Sequence, residues 1–237
     1  MALRPAAALA AGGSEARRAA LKASAVLPVA SSPYATRRDS AFLDAALIEL
    51  LVDASPRFQL ASLALAALPP GTQLACSEPL GAGFASLLSP ALDLGVALEE
   101  ARALLLLGAG AEGCGALRSV LSWQPVAARA GVAQTPVTCF LQASGPSSAP
   151  YVSEWDRWRE AGVRLTLCSA PTAPATSPLE EGLLRNGRRM SEVCGAETGA
   201  VAVLFGPGLS PEVRGRLTRE LAAAGFPPEW MLFADPY

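Results

Sequence analysis

Arg102 to Trp123 reads RALLLLGAGAEGCGALRSVLSW, and the fold turns on this stretch. The apolar run Ala103–Leu107 gives way to glycines at Gly108, Gly110, Gly113 and Gly115, after which Leu117, Val120 and Leu121 recur at helical spacing. A short apolar run, a cluster of glycines and an amphipathic stretch make a strand, a tight turn and a helix. Such a turn brings backbone N–H groups close to a bound phosphate, and the helix N-terminus adds partial positive charge. The same glycines also suit a turn built only for packing, so both readings stand at this point.

Outward from this stretch the pattern repeats. Apolar runs at Ala103–Leu107, Val137–Leu141, Val163–Cys168 and Ala200–Phe205 are followed by helical segments at Gly115–Ser122, Val152–Glu160, Leu179–Val193 and Pro211–Ala224, and Trp230–Phe233 makes a last short strand. This alternation predicts a parallel sheet with helices on both faces. Ligands of such sheets sit beyond the carboxyl ends of the strands, which gathers Gly108–Gly115, Ala143–Pro150, Ser169–Pro178 and Gly206–Ser210 around one crevice. The first hundred residues differ: Ala25–Ser31 and Thr72–Ser77 suit strands, Phe58–Leu68 a short helix, and Ala41–Val52 is ambiguous. A small, partly incomplete antiparallel β-unit at 25–98 thus precedes an α/β unit at 99–237.

Composition narrows the chemistry. The 237-residue chain has a formal charge of −2 and no block of like charge, which excludes nucleic acid as the expected partner. It has no histidine, and Lys22 is its single lysine. Ser-His-Asp and Cys-His catalysis, His-ligated metals and a P-loop lysine are therefore excluded. The five cysteines, Cys76, Cys114, Cys139, Cys168 and Cys194, form no C-x-x-C pair. With Cys139 and Cys168 inside apolar runs, buried free thiols and a reducing compartment are expected. No run is long and apolar enough to predict a transmembrane segment. Residues 1–24 are rich in Ala and Ser and carry Arg4, Arg17, Arg18 and Lys22 against one acid, Glu15. They read as a transit peptide, with a polar arm as the alternative.

The order of these segments resembles the ferredoxin–NADP reductase superfamily, especially its short plant plastid FAD/NAD(P)-binding members. The resemblance runs from about Ser24 to the C-terminus. It is carried by Ala25–Pro33 at the R-x-Y-S and Ile-Ala-Ser region, Gln59-Leu60-Ala61-Ser62 at the G-x-x-S turn, and Pro70-Gly71-Thr72 with Gly81–Phe84. Further along it is carried by Gly110–Ala116 with Arg118-Ser119 at T-G-x-G-x-x-P, Tyr151–Glu160, and Phe205-Gly206-Pro207 at C-G-P. It implies a flavin-binding β-barrel followed by a pyridine-nucleotide domain. It assigns cofactor contacts to Ala30, Ser31, Ser32, Ser62, Gly108, Gly110, Gly113, Arg118, Gly206 and Pro207.

Departures from the pattern cut against turnover. Ala25, Leu27 and Pro28 stand where the family has an arginine for the FAD diphosphate, a tyrosine on the isoalloxazine and a serine at its N5 edge. Gln59 replaces a glycine, Ala116 a proline and Phe205 a cysteine near the nicotinamide, while Glu112 brings negative charge toward a pyrophosphate. Two functions follow: a flavin and NAD(P)H electron-transfer oxidoreductase with impaired sites, FAD and NAD(P)H both binding weakly or not at all, or a non-catalytic structural or docking subunit of a plastid photosynthetic complex. The second places the chain in the chloroplast, in the stroma or at the stromal face of the thylakoid, among protein partners of an electron-transfer assembly. Trp155 and Trp158 read as a packing stripe or a partner surface, Arg185, Arg188 and Arg189 as a solvated face or docking patch, and Tyr237 as a surface aromatic or a flavin-stacking residue.

With no histidine and no suitably spaced cysteines, the purified protein is expected to carry no stoichiometric zinc or iron–sulfur cluster. Elemental analysis checks this.

Overall fold

The computed structural model describes residues 2–5, 25–26, 68–72, 74–76, 83–89, 91–131, 136–145, 149–169, 177–186 and 201–234. The strand at its centre, β5, spans Ala103–Ala109, and all seven of its residues are buried. A strand covered on both faces needs apolar side chains at every position rather than alternate ones, and ALLLLGA supplies them.

Around β5 the strands β6 (Val137–Gln142), β7 (Arg164–Cys168), β8 (Val201–Phe205) and β9 (Met231–Ala234) run parallel, with β4 (Phe84–Ser86) antiparallel at one edge. The order across the sheet is β4-β9-β8-β5-β6-β7. Chain order therefore reverses at β5: the chain first steps outward through β6 and β7, then returns to lay β8 on the other side. Leu104 pairs with Val137 and Ala109 with Gln142 on one flank, and Ala103 with Val201 and Leu107 with Phe205 on the other.

The helices divide between the faces as the two directions of travel require. Leu104, Leu106, Val137, Cys139, Leu141, Ala202 and Leu204 form one core. It lies under α1 (Leu94–Glu100), α2 (Gly110–Leu121), α3 (Gln124–Ala130) and α4 (Trp155–Glu160), with a 3-10 turn at Val152–Glu154 leading into α4. Ala103, Leu105, Leu107, Phe140, Val201, Val203 and Phe205 face the other core, under α5 (Pro178–Arg185) and α6 (Pro211–Ala223). Each fully buried leucine contributes about 1.5–3 kcal/mol, so these strands anchor the sheet. Trp155 and Trp158 are both buried in the first core, as a packing stripe requires.

Local signals fix most of the helix starts. Asp93 caps α1 by accepting from the Val96 N–H at 2.9 Å, and Ser210 caps α6 from the Val213 N–H at 3.3 Å. Ser177 and Glu180 form a reciprocal capping box on α5. At the other end of α1, the Arg129 guanidinium donates to the Leu98 and Ala101 carbonyls, tying α3 to α1.

Several expectations need correcting. The helix after β5 starts at Gly110, five residues before the expected Gly115, because tertiary packing draws the glycines into its first turns. Helices α1 and α3 and strand β4 were not foreseen; β4 is three residues long and is defined by pairing with β9, far away in sequence. Leu179–Val193 is helical over Pro178–Arg185, and residues 187–193 lie outside the described residues, as do 41–52 and 58–67. A separate antiparallel sheet precedes the α/β unit, with β1 (Ala2–Pro5) between β2 (Ala25–Val26) and β3 (Leu74–Cys76). Its central strand comes from within 1–24. Among the described residues no helix is long and apolar enough to cross a membrane.

The two helices on the second face are joined by a buried carboxylate. Glu180 is 2% exposed, yet it accepts from both Arg216 nitrogens that reach it and from the Ser177 backbone N–H. Burial alone would push its carboxyl up, but the hydrogen bonds from Arg216 and Ser177 and the Arg216 charge outweigh burial and hold it below the usual carboxylate range. A depressed carboxyl contributes stability that is present above the unfolded-state value, about 4.3, and is lost as pH falls through the lower folded value. Glu180→Gln is expected to cost about 1.5–3 kcal/mol near neutral pH and to flatten the loss of stability on acidification. Urea unfolding followed across pH 2.5–7 measures both effects.

Candidate functional site

Chain order reverses between β5 and β8, and the carboxyl ends of strands at such a reversal are where open α/β sheets form the crevice that takes ligands. Three chain segments meet there with backbone against backbone. A Cβ on Gly113, in the first turns of α2, would lie 2.7 Å from the Pro207 carbonyl oxygen and 3.2 Å from the Gly108 backbone. One on Gly206 would lie 3.1 Å from the Gly113 Cα, and one on Gly108 would lie 2.7 Å from Leu117 Cδ1. The Gly206 N–H donates to the Leu107 carbonyl at 2.8 Å, extending the β5–β8 ladder into the loop. Gly108, Gly113, Gly206 and Pro207 are thus brought together, and the glycines there are explained by close packing.

Gly110 is different. It is exposed, holds φ +63, and nothing lies within 4 Å of the place a Cβ would occupy. Its left-handed turn starts α2, whose N-cap residue Ala109 provides no side-chain hydrogen bond to the helix start. The first-turn N–H groups of α2 therefore open toward the crevice with no side-chain cap, which is the arrangement that holds a phosphate. Moving the helix start to Gly110 also changes the register of the motif. Gly108-x-Gly110-x-x-Gly113 now spans strand end, turn and helix, which is the spacing of the dinucleotide fingerprint with its three separate glycine roles. The family's proline position falls on Gly113 rather than Ala116.

The charged residues are placed less favourably for an anion. Glu112 sits in the first turn of α2, where a carboxylate competes for the helix-terminus field. Arg118 lies two turns further along, where it donates to Glu154 at 2.8 Å and covers the Tyr151 ring at 4.8 Å. Tyr151 holds φ 58 and joins the β6 loop to α4. Phe205 is buried in the second core and stacks on Phe233, with centroids 4.7 Å apart. Arg185 pairs with Glu181 on its own helix. Ala30, Ser31, Ser32 and Ser62, with Ala25's neighbours Leu27 and Pro28, Gln59, Arg188, Arg189, Cys194 and Tyr237, lie outside the described residues.

Two positions that sequence reasoning did not single out complete the crevice. Gly208, at φ +87, places its backbone so that a Cβ would lie 2.7 Å from the Ala109 carbonyl oxygen. Gln142 ends β6 in register with Ala109, and its side-chain oxygen is buried with no donor. A polar residue closing an apolar run was the available signal for Gln142. The three described thiols offer no nucleophile: burial pushes Cys114 up to about 12 and Cys168 to about 11, and Cys139 is raised by burial and further by those two cysteines. Among the described residues no three His, Cys, Asp or Glu side chains are grouped to hold a metal ion.

Two solved structures share this architecture. The CS–b5R domains of human Ncb5or, in the NAD+ form, match with a TM-score of 0.57 at 15% identity over 88% of this chain and 55% of that one. A ferredoxin NADP+ reductase from Neisseria gonorrhoeae with bound FAD and NADP matches with a TM-score of 0.50 at 14% identity, over 89% and 78%. The chain thus spans just over half of the human structure. No family model matches the sequence, nor does any curated protein. The fold is ferredoxin-reductase-like, and at these identities the likeness is one of fold.

The contacts separate the two glycine roles. Gly113→Ala is expected to cost about 1–3 kcal/mol through overpacking, and Gly113→Asn no less. Gly110→Ala should cost about 1–2 kcal/mol from its left-handed backbone, with Gly110→Asn recovering much of it because Asn tolerates that conformation. Thermal unfolding of the four variants checks the contrast.

Proposed function

We propose that the chain is a ferredoxin-reductase-like protein whose crevice at the β5–β8 reversal binds the pyrophosphate of a pyridine dinucleotide, with an impaired flavin site. The observation that supports this reading is the open, uncapped α2 start at Gly110, held by the Gly108–Gly113–Gly206 contact. Those residues fit a pyrophosphate: the backbone N–H groups donate, and Gly110 leaves room for close approach. Glu112 weakens the same site. A bound reduced dinucleotide would supply a hydride to a flavin, were one bound; the backbone N–H groups at the α2 start would hold and orient its pyrophosphate.

A second reading is supported by Glu112 and by Phe205, whose ring is committed to the core. In it the fold is kept without turnover, as a docking subunit of a plastid electron-transfer assembly.

By the resemblance, Ala25 loses an arginine contact to the charged FAD diphosphate, about 1.5–3 kcal/mol, and Pro28 a serine hydrogen bond to the neutral N5 edge, about 0.5–1.5 kcal/mol. Together these correspond to about one and a half to three orders of magnitude in affinity for FAD. Calorimetric titration of the full chain is therefore expected to show weak or undetectable FAD binding and measurable, weak binding of the dinucleotide. Glu112→Gln should tighten the dinucleotide by up to about fivefold, the equivalent of about 1 kcal/mol at a helix terminus. Submicromolar FAD affinity, with reductase activity lost on Gly113→Val, would establish an active flavoenzyme instead. No nucleotide binding by a folded protein found in a larger assembly would favour the second reading.

A further inference from the structure

We infer that the crevice selects a dinucleotide with an unmodified adenosine ribose and rejects one carrying a 2′-phosphate; this rests on the dinucleotide reading above. The fold leaves that choice to side chains, since one similar structure is an NAD+ form and the other holds NADP.

The pyrophosphate at Gly110 directs the adenosine half over the neighbouring strand, β6, whose carboxyl end lies beside Ala109 in the Ala109↔Gln142 register. In folds of this kind the end of that second strand reads the ribose: an acceptor takes the 2′-hydroxyl, whereas a nearby arginine is needed for a 2′-phosphate. Here the strand ends in Gln142 and continues as Ala143-Ser144-Gly145. Gln142 brings an amide oxygen that has no donor among the described residues. A ribose hydroxyl can satisfy such an acceptor once the amide turns toward it, whereas a phosphate oxygen can take only the amide N–H and leaves the amide oxygen unpaired.

Charge points the same way. A phosphate monoester carries about −1.5 to −2 near neutral pH and needs a cation to offset it. Among the described residues of the segments that follow the crevice strands, 108–113, 143–145, 149–150, 169, 177–178 and 206–210, one is charged, and it is Glu112. Among the described residues, three arginines on the flanking helices are engaged with other side chains. Arg118 is held by Glu154 and Tyr151, Arg216 by Glu180, and Arg214 lies over the Phe233 ring at 5.3 Å. The pyrophosphate can be met by backbone N–H groups alone; a second phosphate over β6 meets neutral side chains and an orphan acceptor.

The test uses two ligand pairs that differ only in the phosphate: NADH against NADPH, and ADP-ribose against its 2′-phosphorylated form, titrated into the full chain by calorimetry. The unphosphorylated member of each pair is expected to bind at least tenfold tighter. Ser144→Arg, at an exposed position, is expected to narrow the gap by raising affinity for the phosphorylated member of each pair more than for the unphosphorylated one. Equal or tighter binding of NADPH and phosphorylated ADP-ribose by the unaltered chain overturns the inference and leaves the dinucleotide reading intact. Absence of binding by all four ligands, with the protein folded by circular dichroism, overturns the dinucleotide reading and this inference with it.

Discussion

Backbone contact between the end of β5, the first turns of α2 and the loop after β8 is the constraint on which the rest of the crevice depends. At Gly113 and Gly206 the three segments come so close that a single Cβ would meet a carbonyl oxygen or a backbone carbon. That closeness sets the angle at which α2 leaves the sheet and seats Leu117, Val120 and Leu121 on the leucines of β5 and β6. It also ties the loop after β8 to β5 through the Gly206 N–H. Only then does Gly110 face outward with open space over its backbone. The packing role and the binding role of these glycines are therefore not rivals: the buried ones fix the geometry that the exposed one presents.

The chemistry of the crevice follows from what surrounds that contact. With no histidine in the chain and the three described side-chain thiols buried and raised, hydrogen bonding from backbone amides is the main resource at the α2 start. The strong polar interactions lie elsewhere and serve architecture. Glu180 and Arg216 join α5 to α6, Arg129 closes the end of α1, and Arg118 binds the start of α4 through Glu154. A site supplied with dipoles instead of full charges can hold an anion that is already attracted by the helix terminus.

Sequence alone determined the five parallel strands and the two-faced burial of the central one. An unbroken apolar run bounded by glycine is enough to identify a strand covered on both sides, and each run here is flanked by its own turn signals. Buried thiols at Cys139 and Cys168 and the packing role of Trp155 and Trp158 were legible for the same reason: side-chain chemistry and local periodicity carry them. Tertiary structure decided what depends on distant partners. Glycine's poor helix propensity hides a helix start at Gly110, because the gain from packing against Gly108 and Pro207 does not register in a local window. Strand β4 exists through its pairing with β9, and β1 through partners at Ala25–Val26 and Leu74–Cys76. Arg118 has the composition of a phosphate ligand, but its pairing with Glu154, 36 residues away, was settled by the way the β6 loop returns against α2. Local sequence encodes which faces are apolar; which charges and backbones meet is fixed only when the chain closes on itself.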